Sequence, residues 1–142
     1  MRSLIESLLR IEQVDEAGAE ISVVFCDDVT IRALNRRYRR QDRATDVLAF
    51  SQAEGDAFPR AAALGDVVIS VETAERQARA RACPLATEIE WLLLHGALHL
   101  LGYDHPNDAA AAAMDQRARQ ALQLAAAHPW VDAAPLSGAP AL

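Results

Sequence analysis

The sequence has no lysine. All 14 of its basic residues are arginine, and alanine is very abundant; both read as a bias of composition, not as function. Cysteine is nearly absent. Cys26 and Cys83 lie far apart and form no C-x-x-C pair, so they read as two small buried hydrophobes in a reducing compartment rather than as a disulfide or a ligand pair. No apolar run approaches the ~18–20 residues that span a bilayer, which excludes a membrane-spanning helix and leaves no membrane partner to expect. The opening segment MRSLIESLLRIEQVDEAG carries acids inside its apolar stretch and lacks a small-residue cleavage site. It reads as an amphipathic helix, not a signal peptide. A cytoplasmic location follows as the expectation.

What is present is an ordinary soluble balance. The chain has 142 residues, 51% hydrophobic and 24% charged. One domain over 1–128 is expected, with a flexible tail over 129–142. A chain of this size buries roughly two-thirds of its unfolded surface and needs no disulfide or structural metal for its core. The net charge of −6, taken whole, argues against a nucleic-acid partner.

Residues 3–11 read as a helix. Residues 21–26 (ISVVFC) are β-branched and apolar and read as a strand. Asp27 or Asp28 then caps a helix that runs to about Tyr38. Strands follow at 46–51 and 66–70, separated by a loop over 52–63. Ser70 caps a helix over 71–82, which Cys83-Pro84 interrupts. The longest apolar helix covers 85–101. Most of its faces are apolar, so it is expected at the centre, packed on the sheet. Gly102 ends it, and an alanine-rich helix covers 107–127. The expected fold class is α/β (α+β): a small mixed, partly parallel sheet packed with helices, with a metal site at the end of the central helix.

Three of the four histidines fall within the eleven residues HGALHLLGYDH, at His95, His99 and His105. His95 and His99 are four apart on a helix, so both imidazoles leave one face about 6 Å apart. That suits two bonds of ~2.0–2.1 Å to one zinc ion. Gly102 permits a left-handed exit that returns His105 to the same place. Three neutral imidazoles with an open fourth position describe a catalytic zinc site, one ion per chain. Nickel or another divalent metal also suits the donors. The alternative is three unrelated histidines, of which one on an apolar helix is usually a satisfied core residue. Asp104 reads equally as a partner of a ligand or as a turn residue. The spacing H-x3-H-x2-G-x2-H matches metzincin proteases except at one position. Those enzymes carry glutamate directly after the first histidine as general base; here Gly96 stands there.

The second feature is a run of arginine. Arg32, Arg36, Arg37, Arg39, Arg40 and Arg43 fall within twelve residues and are opposed only by Asp42. This segment carries +5 and the remainder of the chain −11, so the objection from net charge loses force. Arg32, Arg36 and either Arg39 or Arg40 share a helical face if the helix continues. Such a face suits a phosphate backbone, and a plain solvated face fits the charge equally. Tyr38 reads as a packing residue ahead of a base-stacking one.

These segments resemble the YbeY family of bacterial metal-dependent endoribonucleases. HGALHLLGYDH is similar to that family's H-G-x-L-H-L-x-G-Y-D-H signature. LNRRYRRQDRATDVLAF is similar to its L-N-x-x-Y-R…D…T-[DN]-V-L-S-F segment, and LGDVVISVETAERQA to its L-G-D-[IV]-x-I-S block. The likeness covers about residues 20–120 in the right order. It implies single-strand-directed RNA cleavage, 16S rRNA 3′-end maturation and ribosome quality control. It implies metal ligands at His95, His99 and His105. It places the functional arginine of the Y-R pair at Arg39, to hold phosphate or stabilise transition-state charge, with Arg32, Arg36, Arg40 and Arg43 as further RNA-binding candidates. It implies partners among ribosomal RNA, the small ribosomal subunit, a small-subunit ribosomal protein and the GTPase Era. Departures are Ala44 for a common proline, Ala49 for serine and Ser51 for proline. The family often has a strand before the first helix, whereas this chain starts near the helix. The pattern gives no general base, and none is strictly required beside a metal hydroxide. Two alternatives stand beside this reading: a non-catalytic ribosome assembly factor with a structural metal, and a metalloprotease-like hydrolase, which Gly96 disfavours.

Overall fold

A computed structural model describes residues 2–14, 20–52, 63–105 and 107–127. The tail from residue 128 and most of the 52–63 loop lie outside the described residues. Helix α1 spans Arg2–Ile11, strand β1 Glu20–Cys26, helix α2 Asp28–Arg39, strand β2 Val47–Ser51 and strand β3 Ala63–Ser70. Helices α3, α4 and α5 span Val71–Ala80, Leu85–Leu100 and Asp108–Ala127. Strand β3 therefore starts three residues earlier than the apolar pattern implies, and α3 stops two residues sooner.

The strands form one mixed sheet in the order β1-β3-β2. β1 runs parallel to β3, with Val23 opposite Val67, and β2 runs antiparallel, with Leu48 opposite Val68. Alternation along β3 decides the layers, since successive side chains point to opposite faces. Val67 and Ile69 pack with Leu92, Leu93 and Leu100 of α4. Val68 points the other way and packs with Leu48 and Ile31 of α2.

Helix α4 is buried on both sides. Opposite the sheet, its Trp91, Leu94, Ala97 and Leu98 meet Leu4 and Leu8 of α1 and Met114, Ala118 and Leu122 of α5. Met114 is thus a core residue. A mostly apolar helix takes this central position because most of its faces are apolar. Gly96 lets α4 lie this close. A Cβ added there would meet Val67 Cγ1 at 2.6 Å and Val47 Cγ2 at 3.2 Å. The position that carries glutamate in metzincins therefore faces packed sheet, with no space for a side chain.

Two caps hold the arginine-bearing helix. Asp27 accepts from Thr30 N at 2.8 Å, a side-chain cap on a free helix-end donor. Asp28 accepts from Ser70 Oγ and Thr73 Oγ1, each at 2.6 Å, and from Arg76 Nη2 at 2.8 Å. These three donors hold its carboxyl down at about 2 and tie α2 to the β3–α3 junction. At the other end Arg40 adopts a left-handed conformation at φ 58°, so the helix stops at Arg39. The buried Asn35 donates from Nδ2 to the Arg43 carbonyl at 2.9 Å and folds the basic loop back onto α2.

Candidate functional site

The end of α4 is built as a reversal. Gly102 sits at φ +100°. Its N–H donates to the His99 carbonyl at 3.0 Å, and the Tyr103 N–H donates to the Leu98 carbonyl at 3.0 Å. This six-to-one and five-to-two pair is the Schellman motif, which glycine permits without a Cβ penalty. The Tyr103 hydroxyl then donates to Glu12 Oε2 at 2.7 Å, and Arg117 Nε lies 3.6 Å from Glu12 Oε1. The loop is thereby tied to the residue that follows α1 and, through it, to α5.

That reversal sets the histidines. His99 Nδ1–H donates to the Tyr103 carbonyl at 2.9 Å. His95 Nδ1–H donates to the Trp91 carbonyl at 2.9 Å, and its ring meets the Trp91 ring edgewise at 4.2 Å. A carbonyl only accepts, so Nδ1 carries the proton in both rings and Nε2 is the atom able to bind a ligand. His105 returns to His99, with ring centroids 5.1 Å apart. Burial, the neighbouring His105 and Arg39 together lower the His99 pKa against the weaker pull of the Tyr103 carbonyl and Asp104, which favours the neutral, ligand-competent ring.

His99 and His105 are thus brought together, as the spacing and Gly102 imply. His95 is engaged elsewhere: its Nε2 lies 2.9 Å from Asp115 Oδ1 of α5. Among the described residues no three His, Cys, Asp or Glu are drawn close enough together to hold a metal ion. The donor set nevertheless fits zinc in kind. Two imidazoles lie on successive turns of one helix, each oriented by a backbone carbonyl, and a third is carried back by the reversal. Asp115 is the residue that sequence reasoning missed. It stands twenty residues from His95, and only the packing of α5 on α4 joins them. The available signal was a lone carboxylate after a run of alanines (AAAAAMDQRA). Asp104 accepts from the His105 N–H at 2.8 Å, so it acts within the turn.

The arginines divide. Arg39 lines an open cleft of about 410 Å³ together with Tyr38, Ala49, Phe50, Ser51, His99 and Leu100. The Y-R arginine and a candidate metal ligand therefore share one cavity, although they lie sixty residues apart. Arg32 is engaged by Asp42, with Nε to Oδ1 at 2.9 Å and Nη2 to Oδ2 at 3.3 Å, and lines a separate depression with Asp28 and Arg43. Arg43 Nε donates to Gln41 Oε1 at 3.2 Å. Arg36 and Arg40 are exposed. Arg40 sits in the left-handed cap, so it does not continue the helical face. Tyr38 does pack, edge to face on Phe50 at 5.2 Å, yet its residue stays 57% exposed.

Fold and site together define a mixed α/β domain whose central helix ends at a cleft lined by His99 and Arg39. A model of the family described as endoribonuclease YbeY matches residues 1–126, and the chain belongs to that family. It is 43% identical to the endoribonuclease YbeY of Synechocystis sp. over 118 residues, which is 78% of this chain and 65% of that protein. The corresponding protein of Synechococcus elongatus is 48% identical, with 75% and 63% covered. The one from Desulforamulus reducens is 40% identical, with 84% and 83% covered. The chain thus spans somewhat less than two-thirds of the length of the two cyanobacterial relatives. Among solved structures, the solution structure of TM1509 from Thermotoga maritima matches with a TM-score of 0.56 at 26% identity, covering 90% of this chain and 85% of that one. Among the described residues, no helix is long and apolar enough to cross a membrane.

Proposed function

We propose that the chain is a metal-dependent endoribonuclease that cuts single-stranded RNA, acting in the cytoplasm on the 3′ end of 16S rRNA and in ribosome quality control. The observation that carries this reading is the shared cleft: Arg39 and His99 line one cavity. Zinc would be held through Nε2 of His95 and His99 and through His105, which requires His95 to release Asp115. When bound, such an ion polarises a phosphoryl oxygen and lowers the pKa of a coordinated water.

The protein's own groups do the rest. Arg39 presents a planar fork to a phosphodiester, grips two of its oxygens and stabilises charge as it develops there. Arg36 and Arg40 extend the positive surface along the backbone. The Trp91 and Tyr103 carbonyls fix the tautomers of His95 and His99. The proposed partners are the small ribosomal subunit, one of its proteins and the GTPase Era. The protease alternative meets a steric objection as well as a chemical one, because Val67 and Val47 fill the space a glutamate at position 96 would need.

Metal analysis paired with RNA cleavage tests this reading. The purified protein should carry about one zinc per chain and cut single-stranded RNA. Arg39→Glu should keep the zinc and lose cleavage. A folded protein that carries zinc and binds small subunits but never cuts RNA is an assembly factor and overturns the reading.

A further inference from the structure

The geometry points to Tyr38 as the residue that recognises an unpaired base, by stacking, beside the phosphate held at Arg39. This inference rests on the ribonuclease reading above and assigns the cleft a specificity element which that reading lacks.

Three observations meet here. First, Tyr38 is one of four large hydrophobic residues left exposed among the described residues, and of those four it is the one that lines the cleft shared by Arg39 and His99. Its sequence neighbour supplies the phosphate contact, so a nucleotide whose phosphate reaches Arg39 has its base within reach of position 38. Second, the ring is oriented while the residue stays more than half exposed. Phe50 meets it at 5.2 Å with planes 67° apart, a contact that fixes an aromatic while leaving surface open. Third, the Arg37 guanidinium carbon sits over the Tyr38 ring, 5.3 Å from its centroid, a cation–π contact that supplies positive charge at the ring for a nucleotide's phosphate.

A cleft that needed only a polyanion would be served by arginine alone. Base–aromatic stacking adds affinity whatever the base identity, because each base has a π face. It is open only to bases that are not already stacked in a duplex. Tyr38 therefore selects unpaired nucleotides, while the arginines contribute attraction that single strands and duplexes share.

The test compares wild type, Tyr38→Ala and Tyr38→Trp on a fluorescein-labelled single-stranded oligoribonucleotide, the same oligomer with abasic sites, and a duplex, by anisotropy at fixed salt. Tyr38→Ala should weaken single-strand binding roughly tenfold, leave duplex binding within twofold, and lose nothing further on the abasic oligomer. It should raise KM with kcat little changed. Tyr38→Trp should restore single-strand affinity, and its added indole emission should be quenched by the single strand alone. Equal losses on single strand and duplex, or an unquenched indole, overturn the inference. Wild-type protein that neither binds nor cuts RNA overturns the ribonuclease reading itself, a result distinct from a wild type that cuts RNA no better than Tyr38→Ala.

Discussion

The end of α4 and the end of α2 face one cleft and are built in opposite ways. At the end of α4 each ring is held by a named partner: His95 by Trp91 and Asp115, His99 by Tyr103. The helix beneath is buried against sheet and helices alike. At the end of α2 the basic side chains stand in solvent, and Arg39 lines the cleft with no carboxylate partner among the described residues. The difference suits the work proposed for each end. Donors to an ion must be fixed to within a fraction of an ångström, which a packed scaffold provides. Phosphate along a flexible strand is met by exposed charge at little geometric cost.

If the α4 end is the rigid one, the largest effects come from its packing. Gly96→Ala should cost about 1–3 kcal/mol by overpacking against Val67, and Gly96→Glu should leave no folded protein, both read by thermal melting. Next, His99→Ala should fold yet lose zinc affinity by more than about 100-fold, measured by competition with a chromogenic chelator. On the α2 side, Arg39→Ala should lower kcat by about 10²–10³ with zinc retained. Arg32→Ala should change it by about threefold or less, because Asp42 already occupies that guanidinium and exposed pairs contribute little.

The two helices also titrate in opposite senses. Asp28, held at about 2 by its three donors, stabilises the folded chain above its unfolded pKa, and that contribution is lost as pH falls from about 4 towards 2. Asp28→Asn should therefore cost about 1–2 kcal/mol at pH 7 and nothing near pH 2. Glu90 of α4 is pushed up to about 7 by burial. Its ionisation opposes folding as pH rises from its unfolded value through 7, so Glu90→Gln should raise the melting temperature at pH 8 and leave it unchanged near pH 4. The smallest effect is Arg36→Ala, which should reduce the salt slope of single-strand binding by about 0.7.

Much of the fold was legible in the chain because it rests on local signals. The caps at Asp27 and Ser70, the all-round apolar pattern of 85–101 and the glycine at 102 each act within a few residues. The pairing of His99 with His105 was legible for the same reason. What was hidden is non-local. The strand order is set by which faces of β3 are buried, and the meeting of Arg39 with His99 needs β2 and α4 to converge. The capture of His95 by Asp115 depends on how α5 lies across α4. Tyr38 reads from sequence as a packing residue, and only its place at the cleft leaves it exposed.

The most direct test of the account is one assay. Purified protein is incubated with single-stranded RNA and with casein, each with and without a metal chelator. The account predicts that RNA is cut, that chelator stops the cutting and added zinc restores it, and that casein stays intact. Chelator-sensitive casein cleavage with intact RNA would contradict it.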